Sequence, residues 1–282
     1  MSRTSSSSRS WRQVLALGSA TAVGALALLP SAAVAAPMPV PAPTIPGAPV
    51  LFGPLVDAGK PSDTMATLKT TPDVAPTGTT VTVSGANLPA SKDVSLVWMT
   101  ANVRYVLDPK PDSLDYVGRK VDKIAVALAN ARTDASGAFK ISFKVPKDFG
   151  GLHDIFAVVN GVQVGKGGFL LERTVRISPT KGPIGTPITV TVAGMGHPTY
   201  ESVGGVLYDN RFTGSVSANT TRGLAVFKLR ASGGVGPHWI EFGGSSHTVP
   251  YLNMQQSPVP WTDGHRMKFT VTKDAGSPKP TR

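Results

Sequence analysis

One stretch of this chain occurs twice, and that repeat constrains the fold more than any other feature. In residues 71–85 the markers are Pro72, Pro76, Gly78, Val81, Val83 and Gly85. In residues 178–194 they return as Pro179, Pro183, Gly185, Ile188, Val190 and Gly194. Each copy opens on a Pro/Gly turn and then alternates Thr with Val or Ile. That period of two places branched apolar side chains on one face and hydroxyls on the other, as in a strand with one buried and one wet face. The similarity continues downstream. Residues 133–139 have the composition of a hairpin turn, as do residues 220–226, and Gly151-Leu152-His153-Asp154-Ile155 is matched by Gly236-Pro237-His238-Trp239-Ile240. Whole domains are duplicated, which implies two small β domains in series.

The N-terminus reads as an export signal. Arg3, Arg9 and Arg12 precede an uncharged apolar run, residues 14–29, that ends in small residues up to Ala36. No adjacent arginine pair is present, which favours the general secretory route. The run is also long enough to serve as an uncleaved anchor across a bilayer of about 30 Å, but Pro30 and the Ala-x-Ala spacing favour cleavage. No second apolar run of spanning length follows, so no transmembrane segment is expected after cleavage. Cysteine is absent, which excludes disulfides, thiolate metal sites and a cysteine nucleophile, so packing alone must hold each domain. The formal net charge is +11, and the chain stays basic without the three arginines of the leader. A basic exported protein is drawn to anionic cell-wall polymers, lipid headgroups, polysaccharide or a surface protein; dispersed lysines that merely solvate the surface are the alternative. Basic residues form no long run and no aromatic-studded motif, so nucleic acid is not an expected partner. The expected location is extracellular and associated with the cell envelope.

The organisation that follows is a signal peptide over residues 1–36, a Pro-rich linker over 37–64, one β-sandwich over 65–172, a second over 173–273 and a flexible tail over 274–282. Proline at the density of residues 37–43 leaves an extended, semi-rigid spacer, and Leu51, Phe52 and Leu55 are candidates to dock on the first domain. Short apolar or alternating runs predict strands at 66–70, 79–84, 94–99, 124–130, 138–145, 155–159 and 168–171 in the first unit. The second unit has them at 174–178, 187–192, 204–208, 214–218, 225–230, 239–242 and 249–252, with 267–273 closing it. The fold class is therefore all-β, two immunoglobulin-like β-sandwiches in tandem.

A proline, then Ala-Pro or Gly-Pro, then x-Gly-Thr-x-(Val/Ile)-Thr-Val and a closing glycine, followed later by a Gly-x-His element, resembles the immunoglobulin-like domains of the IPT/TIG type found in bacterial surface and secreted proteins. The resemblance covers residues 65–272 in two copies. It implies a spacer, adhesive or binding role, such domains being rarely catalytic by themselves.

No catalytic constellation stands out, and neither an enzyme activity nor a cofactor is expected. His153 and His238 each lie alone after a glycine turn with no second histidine at metal-ligand spacing, so the bland reading has each ring bonding a loop carbonyl and pinning its turn. The Gly-x-Ser-x-Gly elbow is absent. Gly165-Lys166-Gly167-Gly168 lacks the spacing of a phosphate loop and reads as a hairpin turn. Only three glutamates, Glu172, Glu201 and Glu241, join the aspartates as candidates for the paired carboxylates of a secreted hydrolase. The best candidate surface is the segment where the copies differ. Residues 100–122 form a long connection in the first unit, against about 209–220 in the second. Arg104, Tyr105, Tyr116 and Arg119 there carry planar and forked groups suited to sugars or peptide anions, and Trp261 on a Pro-rich loop is the aromatic most expected to be exposed. An insertion that binds nothing remains the other reading. Asp108, Asp112 and Asp115 do not have calcium-loop spacing, and no metal site is assigned. Trp98 and Tyr208 hold equivalent strand positions that are more often core than sugar platform. Two further classes stay open beside the binding module: a secreted hydrolase or its accessory module, and a mechanical spacer.

Overall fold

The computed structural model describes residues 51–198, 201–244 and 265–273, and all regular structure among them is β. The chain enters through β1 (Leu55–Val56) and β2 (Lys60–Thr67), steps into β3 (Lys69–Thr71) and returns as β4 (Val74–Pro76). It continues through β5 (Thr80–Gly85), β6 (Asp93–Pro109), β7 (Leu114–Arg132), β8 (Phe139–Lys144), β9 (Gly151–Val159) and β10 (Val162–Glu172). One sheet is β3-β5-β8, and the facing sheet is β1-β7-β6-β9-β10-β2, with β4 also on β10. Pairing of β5 with β8 and of β6 with β9 makes the crossovers of a Greek key.

A single residue, Arg173, separates β10 from the second set: β11 (Thr174–Ser178), β12 (Lys181–Gly182), β13 (Pro187–Ala193), β14 (Val203–Tyr208), β15 (Arg211–Ser217), β16 (Ala225–Arg230), β17 (Gly236–Gly244) and β18 (His265–Val271). Their sheets are β11-β13-β16 and β12-β18-β17-β14-β15. Strand by strand this is the order of the first unit, with β3, β5 and β8 matched by β11, β13 and β16, and β4, β10, β9, β6 and β7 matched by β12, β18, β17, β14 and β15. In both copies the chain changes sheets at a proline, after the cis bonds Thr71–Pro72 and Ser178–Pro179. The repeat in the sequence is thus a repeat of two immunoglobulin-like sandwiches.

Alternation in the duplicated strands sets the cores. Val81 and Val83 in β5, and Ile188, Val190 and Val192 in β13, are fully buried, while the Thr82 hydroxyl on the opposite face pairs with Ser142 Oγ at 2.9 Å. The first core adds Leu96, Trp98, Ile155, Phe169 and Leu171. The second adds Val206, Ile240, Phe242 and Phe269. Each such side chain contributes roughly 1.5–3 kcal/mol on full burial, which is the term that must hold a cysteine-free domain together.

Several elements differ from the sequence expectation. The predicted strand 66–70 is broken at Leu68, which leaves β2 on one sheet and β3 on the other. Leu68 itself is buried, and its N–H donates to the Lys166 carbonyl at 2.8 Å. This explains Gly165-Lys166-Gly167-Gly168, which is the middle of β10 and not a hairpin turn. A Cβ at Gly165 or Gly167 would lie 2.9 Å from Leu68 side-chain atoms, so the glycines make room for the leucine where the chain crosses over. The turn lies earlier, at Asn160 and Gly161, both at positive φ. The described part of the predicted linker, residues 51–64, is also not a free spacer: β1 lies antiparallel on β7, β2 lies parallel on β10, and Phe52 meets Trp98 edge-on at 6.3 Å. Leu55, in contrast, is 57% exposed. The leader, residues 37–50, the predicted strand 249–252 and the tail lie outside the described residues.

Candidate functional site

The long connection of the first unit is not a loop. It is the outer half of β6 and β7, which pair in antiparallel register from Asp93↔Arg132 out to Pro109↔Leu114. In the second copy the equivalent hairpin, β14–β15, turns at once on Asp209 and Asn210, both at positive φ. Residues 100–122 are therefore an extension of one hairpin into an arm. The extra length belongs to a two-stranded ribbon whose outer part has no second layer over it among the described residues.

The register places Tyr105 opposite Arg119 and Leu107 opposite Tyr116, and alternate residues share a face of the ribbon. At the base of the arm this face meets the second sandwich. Arg119 Nη1 donates to the His197 carbonyl at 2.7 Å, to Asn219 Oδ1 at 3.1 Å and to Ser202 Oγ at 3.2 Å. The Tyr105 hydroxyl pairs with Ser217 Oγ at 3.0 Å and accepts from Asn219 Nδ2 at 3.0 Å. Two of the residues expected to meet a ligand thus clamp the arm to the neighbouring domain. Arg104 remains on the surface, 3.8 Å from Asp122. Tyr116 is 63% exposed, with its ring edge-on to Tyr105 at 5.9 Å. Around it Leu107, Leu114 and Val117 are exposed as well, the last two by 62% and 64%. Lys110 and Asp115 pair across the tip. Trp261 lies outside the described residues. Among the described residues no group of three His, Cys, Asp or Glu side chains could hold a metal ion.

Behind the arm lies a buried polar junction that the sequence did not reveal. Asp148, on the loop between β8 and β9, has no exposed side-chain surface. Its Oδ2 accepts from Trp98 Nε1 at 2.9 Å and its Oδ1 from Arg222 Nη2 at 3.2 Å. Arg222 comes from the second sandwich, on the turn between β15 and β16 at positive φ. It also donates to Asn102 Oδ1 at 2.9 Å and Thr100 Oγ1 at 3.3 Å, and its guanidinium lies over the Phe149 ring at 5.7 Å. Backbones meet here too: Gly150 N–H donates to the Met195 carbonyl at 3.0 Å, and a Cβ on Gly150 would fall 1.9 Å from the Gly194 oxygen. A small apolar cavity of about 240 Å³ lies beside the ion pair, between Thr77, Thr191 and Leu224. The residues 51–198, 201–244 and 265–273 accordingly belong to one unit, Ile45–Arg282. An arginine after two threonines reads as an ordinary turn, so only the three-dimensional pairing identifies Arg222.

The duplicated histidines do pin their turns. His153 Nε2 faces the Phe149 carbonyl at 2.7 Å and its Nδ1 the Met99 carbonyl at 2.9 Å. His238 Nε2 faces the Gly234 carbonyl at 2.7 Å and its Nδ1 meets Asp209 Oδ2 at 2.5 Å. Each ring thus bonds the carbonyl four residues back, and each stacks on the aromatic of the matching strand, Trp98 at 4.2 Å and Tyr208 at 5.7 Å. Both aromatics are core, Tyr208 with its hydroxyl donating to the Ser232 carbonyl at 3.0 Å. Burial alone lowers the affinity of His238 for a proton, but its hydrogen bonds to Asp209 and Gly234 and the Asp209 charge outweigh it and hold the pKa above the usual histidine value. His197 is pushed the other way, by burial first and then by the charges of His153 and Arg119, against the opposing Glu201 and Asp148.

No family model matches the chain, and no curated protein matches it. Solved structures match at low identity. The InvE adhesin of Yersinia pseudotuberculosis is 14% identical, the match covering 74% of this chain and 59% of that one at a TM-score of 0.27. Invasin, described as a bacterial integrin-binding protein, is 15% identical over 74% of this chain and 40% of its own, with a TM-score of 0.26. A red sea bream transglutaminase is 16% identical over 75% and 32%, with a TM-score of 0.24. The chain spans less than two thirds of each. The fold assignment rests on the strand order, and the IPT/TIG resemblance on the residues that carry it.

Proposed function

We propose that this protein is an extracellular, non-catalytic binding module that associates with the cell envelope or a surface ligand through the tip of the β6–β7 arm. One observation carries the reading: the arm is clamped at its base by Tyr105 and Arg119, yet presents Leu107, Leu114, Tyr116 and Val117 to solvent. Four large apolar side chains held in solvent within one short ribbon on a fixed support cost solubility and suit an interaction site. The export-type leader and the basic balance of the chain fit an anionic wall polymer, a polysaccharide or a surface protein as the ligand.

Co-sedimentation with isolated cell envelopes, across a salt series and with free polysaccharides as competitors, tests the reading. The triple variant Leu114→Ser, Tyr116→Ser, Val117→Ser removes exposed side chains only, so the fold should persist. Loss of about 1 kcal/mol of apolar contact at each position predicts binding weaker by roughly 100-fold. Sedimentation of the triple variant at wild-type levels sinks the proposal. A wild-type chain that binds nothing would instead leave the mechanical spacer, for which the one-residue link and the buried junction are the supporting features.

A further inference from the structure

A second surface, lined by β6, β7, β9 and β10 of the first sandwich and by His197 of the second, forms a groove of about 500 Å³. That volume falls in the range of small-molecule sites. Its apolar lining is Met99, Leu152 and Phe156. Leu152 is 76% exposed, an unusual degree for a leucine inside a strand. Most polar groups on the rim are already engaged. His153 faces two carbonyls, Gln163 donates to the Ala58 and Gly59 carbonyls, and Asp154 pairs with Lys166 at 3.1 Å. Two are not. Lys123 is exposed on β7 and makes no ion pair among the described residues, and the His197 ring, 5.5 Å edge-on from Phe149, has no hydrogen-bond partner among them. Both line this groove, one from each sandwich.

We infer that this groove binds a small amphipathic monoanion, a carboxylate whose head lies between Lys123 and His197 and whose apolar body covers Leu152, Phe156 and Met99. The two unengaged groups are a cation and an imidazole, which select an acceptor-rich, negatively charged head. The Asp154 carboxylate on the same rim disfavours a dianion such as phosphate, because a second negative charge would be held close to a like one. The apolar lining supplies affinity that an inorganic anion cannot use. His197 is also the link to pH. The charged groups around it are Arg119 and Lys123 on β7, His153 and Asp154 on β9, Asp148 on the loop before β9 and Glu201 on its own loop. A carboxylate arriving beside the ring stabilises the imidazolium, so binding takes up a proton and tightens as pH falls below the ordinary histidine range.

Isothermal titration of the purified protein with octanoate, octanol and inorganic phosphate provides the test. Saturable binding of octanoate is expected, with octanol and phosphate at least about tenfold weaker, and with octanoate tighter at about pH 5.5 than at about pH 7.5. Lys123→Ala and Leu152→Ala, both surface substitutions, should each weaken octanoate by about tenfold while leaving the unfolding midpoint unchanged. His197→Gln should bind octanoate with the pH dependence removed. Absence of saturable octanoate binding, equal binding of phosphate, or binding indifferent to Lys123→Ala and Leu152→Ala overturns the inference. None of these outcomes depends on Leu114, Tyr116 or Val117 at the arm tip, so the envelope experiment and this one fail separately.

Discussion

Asp148 shows how much a single side chain can matter to two domains. Its carboxylate is wholly buried, and while it accepts from Trp98 of its own sandwich, its charged partner, Arg222, belongs to the second. A buried ion pair adds little when complete but is costly to break, because the remaining partner is left charged without water. Asp148→Ala is therefore expected to lose about 3–5 kcal/mol in urea unfolding, and Asp148→Asn less, since the amide still accepts from Trp98 or Arg222. Equal, small losses in both would mean that the pair is solvated in solution. The histidines make opposite predictions for pH. His238 has a raised folded-state pKa, so its contribution is complete below the unfolded value of about 6.5 and is lost as pH rises through the folded one. His197 has a lowered one, so its contribution is complete above about 6.5 and is lost as pH falls through the folded value. Thermal unfolding across pH should show His238→Gln most damaging in acid, and His197→Gln relieving part of the acid loss of the wild type. The reverse order would contradict both assignments.

At the scale of elements, the repeat made the sheets legible. Pro/Gly turns followed by Thr-Val alternation located β5 and β13, and the two Gly-x-His motifs marked the starts of β9 and β17, because both signals are local. The bounds of β11 and β16 could be read as they stand. The elements that were missed depend on distant partners. Nothing near Leu68 says that it must break a strand to enter the core, and nothing near Gly165 says that its missing side chain is the space Leu68 occupies. Sequence marks residues 100–122 as the place where the copies differ in length, and nothing local shows that the ladder from Asn102↔Asp122 continues outwards. Nothing local to Tyr105 or Arg119 says that they face a neighbouring domain. Asp148 and Arg222 carried no signal at all, since 74 residues separate them.

Across the whole molecule, the junction should make the two sandwiches unfold together. Backbone approach at Gly150 and Gly194 leaves no room for a methyl group, and the arm and the Arg222 pair close the same interface. Gly150→Ala is expected to split one calorimetric transition into two, since cooperativity between domains is lost with the contacts that couple them. A single unshifted transition would show that the contact relaxes at no cost.

The strand order has a mechanical side. In each copy an early strand lies parallel to the last one: β4 runs beside β10 and β12 beside β18, with β2 adding a further parallel pairing on β10. Tension applied along such a pair displaces one strand past its neighbour, and the hydrogen bonds between them carry the load in shear, all at once. A hairpin pulled from its open end parts one bond at a time. Drawn taut between its two ends, the tandem would resist as a stiff link, and the first bonds to fail would be those that join the start of each sandwich to its finish.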